Sequence, residues 1–107
     1  QIPIYETKER VSSFHLYPLR INSITEDQRD KIIELIFEKD VSVNVHFQPL
    51  PILSFYKSMG YKMDDYPVAY DNYSREISLP VYYDLSDENV ETVIEAVIKS
   101  VQEVINA

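Results

Sequence analysis

Cysteine is absent from this 107-residue chain, which excludes disulfides, thiolate nucleophiles and cysteine-ligated metals. Glycine occurs once, at Gly60. Phosphate-cradling loops need several glycines to bring backbone N–H groups against the ligand, so neither a P-loop nor a dinucleotide fingerprint can be built. Cations are scarce: 10 lysines and arginines stand against 18 acidic residues, a formal net charge of −8. Nucleic-acid phosphates require a basic surface, and this composition speaks against such a partner. No apolar run approaches the roughly 20 residues that span a bilayer, and the opening residues do not read as a signal peptide. The expectation is a chain with no membrane attachment, compatible with a reducing cytoplasm. It begins at Gln1 rather than at methionine, which reads as a fragment or a processed product.

What is present is ordinary for a folded domain: 45% apolar and 26% charged residues. The length suits one domain over residues 1–107. Ser13 to Ile21 is rich in strand formers, and Pro18 places that strand at an edge or on a bulge. Thr25 and Gln28 have capping-box spacing ahead of Ile32, Ile33, Leu35, Ile36 and Phe37, which predicts a helix to about Lys39. In Val41 to Gln48 apolar and polar residues alternate. Val41, Val43, Val45 and Phe47 should face a core, and Asn44, His46 and Gln48 should face water or a ligand.

Further on, Ile52 to Met59 reads as a short helix stopped by Gly60, and Pro67 opens another that carries Tyr66, Tyr70 and Tyr73 at helical spacing. Glu76 to Val81 reads as a strand interrupted by Pro80. Ser86 caps a last helix in which Val90, Val93, Ile94, Val97, Ile98, Val101, Val104 and Ile105 recur at three- and four-residue steps. The acidic residues fall mostly where helices begin, which fits helix-terminus electrostatics. The sum is an α+β domain: a three- to four-stranded, mostly antiparallel sheet with helices packed on one face.

His46 is the candidate site residue, with Asn44 and Gln48 beside it. On the polar side of a strand with a stiff Phe47-Gln48-Pro49 exit, an imidazole suits a phosphate or sugar hydroxyl, and equally suits bulk water. No carboxylate or second histidine stands at metal-ligand spacing from it, so no metal site is expected. The tyrosines read as core or interface before they read as a ligand platform. None of the six lysines (Lys8, Lys31, Lys39, Lys57, Lys62, Lys99) has the desolvated setting of a Schiff-base anchor. These residues hold no complete catalytic site.

Five segments in order are Ser13-Phe14-His15-Leu16-Tyr17-Pro18-Leu19-Arg20, Val45-His46-Phe47-Gln48-Pro49-Leu50, Phe55-Tyr56-Lys57 through Gly60, Tyr66-Pro67-Val68-Ala69 and Ser78-Leu79-Pro80. Together they resemble the C-terminal small domain of the DegT/DnrJ/EryC1/StrS family of PLP-dependent enzymes. The resemblance implies a fold type I aminotransferase, normally a homodimer, that passes an amino group to a nucleotide-linked keto-sugar in polysaccharide biosynthesis. It implies that the lysine and the main PLP contacts lie in a large domain outside this chain, so that the fragment alone neither binds PLP nor reacts. It also implies that His46 lies near the sugar nucleotide. Phe47, Pro51 and Tyr83-Asp84 depart from the common family pattern and bear on which sugar is taken. Alternatives are a PLP-dependent sugar dehydratase of the same family and a cofactor-free acidic interaction module.

Overall fold

The strand Glu76–Leu79, β2, is the frame of the domain. It pairs antiparallel with β1, Tyr17–Arg20, in the register Tyr17↔Leu79, Pro18↔Ser78, Leu19↔Ile77 and Arg20↔Glu76. On its other edge Ser78 exchanges both backbone bonds with Asn44, at 2.7 and 3.2 Å. Because the Ser78 N–H and C=O both turn toward Asn44, Pro18 opposite it directs its nitrogen to the outer edge. The missing donor therefore costs no ladder bond, as a proline in an edge strand requires. The computed structural model describes all 107 residues.

Four α-helices surround this pair: α1 (Glu26–Phe37), α2 (Ser54–Ser58), α3 (Pro67–Ser74) and α4 (Asp87–Ile105). Short 3₁₀ turns at Leu50–Ile52 and Met63–Asp65 lead into α2 and α3. The capping box of α1 is complete, with Gln28 N–H donating to Thr25 Oγ1 at 3.2 Å and Thr25 N–H to Gln28 Oε1 at 2.9 Å. Lys39 Nζ donates to the Leu35 carbonyl at the other end of α1. Ser86 Oγ accepts from Asn89 N–H and starts α4. Gly60 ends α2 in a Schellman motif: Gly60 N–H reaches Lys57 O and Tyr61 N–H reaches Tyr56 O. Its φ of +93° is what demands glycine, since the space around it would admit a Cβ.

The domain is α+β, as the sequence implies, but its sheet is smaller than the three to four strands expected. The segment 41–48 forms no strand beyond the single bridge at Asn44. Its alternation holds at Val41 and Val43, which are buried, and breaks after Asn44. There Asn44 Oδ1 takes the Val45 N–H and Glu76 Oε2 takes the His46 N–H, so side chains draw these donors out of a ladder. The His46–Phe47 peptide is cis, and Phe47 turns outward, 74% exposed, instead of reaching the core. The first and third strands are also shorter than expected, and Pro80 ends β2 at Leu79.

Alternation along β2 buries both faces of it. Ile77 points into a cluster with Ile21, Ile32, Ile36, Val41, Val43, Ala96 and Val97, which is the core between the sheet, α1 and α4. Glu76 and Ser78 point the other way and are also buried. On α4, Val93, Val97, Val101 and Val104 pack on the core, whereas Ile94, Ile98 and Ile105 of the same apolar pattern stay at least two-fifths exposed. The helix thus presents more apolar surface than this domain covers.

Deleting a side chain at the centre of that cluster should matter more than deleting a cap. Ile77→Ala is expected to cost about 2–5 kcal/mol through lost burial and a residual cavity, and Ser86→Ala about 1 kcal/mol. Urea unfolding of the two variants checks the order; equal losses would contradict the assignment of Ile77 to the core centre.

Candidate functional site

The second face of β2 opens on a cavity of about 390 Å³ lined by Pro18, Arg20, His46, Phe47, Pro49, Ala69, Asn72, Tyr73 and Glu76. The register of β1 on β2 sets Arg20 directly beside Glu76 on this face. From α3, the Asn72 side-chain oxygen accepts from Arg20 Nη1 and fixes the guanidinium. Asn72 is held in turn by its own amide on the Val68 carbonyl at 2.9 Å.

His46 enters this cavity from the loop that leaves Asn44. Its backbone N–H donates to Glu76 Oε2 at 3.0 Å, and its ring meets Phe47 edge-on with centroids 4.7 Å apart. Its Nδ1 is buried and has no hydrogen-bond partner. Buried polar atoms are nearly always paired, so this nitrogen is an exception within the domain, while the His46 residue as a whole lines the cavity. Asn44 and Gln48 do not line the cavity; both are exposed, and Asn44 spends its side-chain oxygen on Val45 N–H.

Behind the wall sits Arg29 of α1, only 2% exposed. It donates to the Tyr73 carbonyl at 2.9 Å and the Glu76 carbonyl at 3.3 Å, pairs with Glu26 and Asp30, and lies 5.0 Å from the Tyr73 ring centre. One planar cation thus ties α1 to the end of α3 and the start of β2, a fork that lysine could not reproduce. Of the tyrosine stripe, Tyr73 is half-buried here, and burial raises its hydroxyl above the usual range. Tyr70 donates to Glu26 Oε2 at 2.8 Å, and that bond holds its pKa up. Tyr66 stays exposed.

A larger cavity of about 800 Å³ lies between α1 and α3, lined by Ile24, Thr25, Glu26, Met63, Asp64, Pro67, Tyr70, Asp71 and Ser74. Its charged groups, Glu26, Asp64 and Asp71, are all acidic and repel an anion. Only the His46 cavity combines a histidine with an arginine held in place by a side-chain oxygen, so it is the better candidate site for an anionic or hydroxylated ligand.

The sequence singles out His46 but not Arg20, Asn72 or Glu76, which line the same cavity. Glu76 sits at the start of a strand pattern, where a carboxylate reads as solvated, and Arg20 reads as a strand's polar end. Only the pairing of β1 with β2 brings them together. No lysine lines the His46 cavity. Lys31 and Lys99 pair with Glu34 and Glu95 on exposed helix faces, and Lys39 caps α1. The cavity lining therefore supplies no covalent anchor for PLP.

The domain is thus small and α+β, with His46 and Arg20 on one cavity beside β2. The chain belongs to the DegT/DnrJ/EryC1/StrS aminotransferase family, whose model matches residues 1–98. It is 39% identical over 90 residues to the spore coat polysaccharide biosynthesis protein SpsC of Bacillus subtilis, covering 79% of this chain and 23% of that protein. It is 26% identical over 98 residues to the UDP-4-amino-4,6-dideoxy-N-acetyl-beta-L-altrosamine transaminase of Helicobacter pylori, covering 92% of this chain and 26% of the relative. Its fold superposes on the apo form of Spr1654 of Streptococcus pneumoniae, named as a sugar aminotransferase, with a TM-score of 0.93 at 34% identity. That match covers 98% of this chain and 26% of Spr1654, which has also been solved in PLP and PMP forms. The chain thus spans about a quarter of the length of the proteins it matches.

The outer end of α3 carries a pH-dependent contact. Asp71 accepts from Arg75 Nε at 3.1 Å and Nη2 at 2.7 Å, and the guanidinium holds its carboxyl below the ordinary 3.8. A lowered folded value means a contribution fully present above 3.8 and lost as pH falls through the folded pKa. Asp71→Asn should therefore melt below the wild-type chain at pH 6, with the gap closing under acid. A gap in melting temperature that stays constant down to about pH 2 would contradict the pairing.

Proposed function

We propose that this chain is the C-terminal small domain of a PLP-dependent aminotransferase that transfers an amino group to a nucleotide-linked keto-sugar. In this reading a large domain elsewhere in the protein binds PLP, which supplies the electron sink for amino transfer. The small domain closes over the sugar nucleotide, with His46 as the positioning contact and Arg20 beside it as counter-charge. Asn44 and Gln48 lie on the exposed side of the same loop, where they meet the substrate once the cleft is closed. The observation that carries the reading is that His46 lines one cavity with Arg20, whose guanidinium is held by the Asn72 side chain. Each of these groups can bind and orient; none of them needs to take part in bond breaking.

Three further features support it. The relatives that this chain matches are named for sugar transamination or polysaccharide biosynthesis, and the chain covers about a quarter of each. No lysine faces the cavity, as expected if the covalent anchor comes from another part of the protein. Apolar groups that a complete domain would cover lie open, among them Ile94 and Ile98 on α4 and Phe55 on α2. The complete protein is accordingly read as a cytoplasmic homo-oligomer, normally a dimer, and the isolated chain as inactive.

The test is His46→Ala in the complete protein. The KM for the sugar nucleotide should rise about 10-fold or more, the loss of about one good polar contact to a charged or hydroxylated ligand. The cofactor's absorbance and the reaction with the amino donor should be unchanged. A variant with the wild-type KM for the sugar would remove His46 from the substrate site.

A further inference from the structure

Glu76 is the one acidic side chain in the His46 cavity, and it is only 5% exposed. Burying a carboxylate costs free energy that must be offset by specific partners. Both of its oxygens have one: Oε2 accepts the His46 backbone N–H at 3.0 Å, and Oε1 accepts the Ser78 hydroxyl. Ser78 is itself locked to Asn44 by two backbone bonds, two residues before His46. A rigid path therefore runs from β2 through the Glu76 carboxylate to the backbone of His46. Without it, the loop from Val45 to Gln48 would have no hydrogen bond to the sheet beyond Asn44, since Phe47 and Gln48 donate to nothing in the domain.

We propose that Glu76 is a positioning residue: it holds the backbone of His46 so that the imidazole faces the cavity, and so sets how tightly the site binds its sugar substrate. The inference rests on the proposed role of His46 and adds to it the group that fixes its direction. The carboxylate reaches His46 through the main chain and not through the ring, so it aims the imidazole without competing for its ring nitrogens. Preorganisation of this kind lowers the ordering cost of binding, and its loss appears mainly in substrate affinity.

The experiment is a double-mutant cycle in the complete protein, with KM for the sugar nucleotide and kcat measured separately. Glu76→Ala should raise that KM about 5- to 20-fold, with kcat changed less than about 3-fold and the KM of the amino donor unchanged. Glu76→Gln, which keeps an oxygen toward the His46 N–H and an amide toward Ser78, should recover most of the loss. In a His46→Ala background, Glu76→Ala should add less than about 2-fold, because there is no longer an imidazole to aim. Folding is followed by melting temperature and cofactor absorbance, and if Glu76→Ala misfolds, Ser78→Ala, which frees one carboxylate oxygen, takes its place in the cycle. Full additivity of the two losses would overturn the proposal. So would a Glu76→Gln variant as impaired as Glu76→Ala. If His46→Ala leaves the sugar KM alone while Glu76→Ala raises it, the positioning role falls together with the role of His46. If only His46→Ala has an effect, the role of His46 stands and that of Glu76 falls.

Discussion

On one side of β2 the Ile77 side chain is wholly buried among isoleucines and valines; on the other, the Glu76 carboxylate is buried against the backbone of His46. These two residues are neighbours, and strand alternation is what sends them to opposite faces. The same four-residue strand therefore anchors the core and braces the cavity. Arg29 reinforces the junction from behind by holding the carbonyl of Glu76 itself, together with that of Tyr73. Packing and site geometry cannot be separated here, because they share one strand and one peptide.

Much of the fold is legible in the residues. The capping box at Thr25 and Gln28, the Ser86 cap, the glycine stop at Gly60 and the valine-rich pattern of α4 are local signals, and local signals survive into the structure. The segment after Val41 is less legible, because its fate depends on a carboxylate 30 residues away in sequence. Alternation suggests a strand through Gln48, but Glu76 and the Asn44 side chain take the donors that a ladder would need. The candidate site divides the same way. His46 can be picked out from its neighbours in the chain, whereas Arg20 and Glu76 acquire meaning only through the cross-strand register that pairs them. The buried Arg29 was equally hidden, since an arginine in the first turns of a helix reads as surface.

The balance of covered and uncovered surface gives the domain its character. Nine apolar side chains are buried, while Ile94, Ile98, Phe55, Leu50 and others lie open. The same chain covers about a quarter of each matched relative. The valines of α4 that face inward hold the domain together, and the isoleucines on its other side stay open.

The cavity brings together the anchored Arg20 guanidinium, the His46 side chain and the buried Glu76 carboxylate. In the proposed reading such a set binds and aims a phosphorylated sugar. The measurement that bears most directly on this is a structure of the complete protein with its sugar nucleotide bound. The His46 imidazole should lie within about 2.7–3.2 Å of a substrate oxygen, with the Glu76 carboxylate still on the His46 N–H. A substrate bound away from this cavity, with His46 facing solvent, would contradict it.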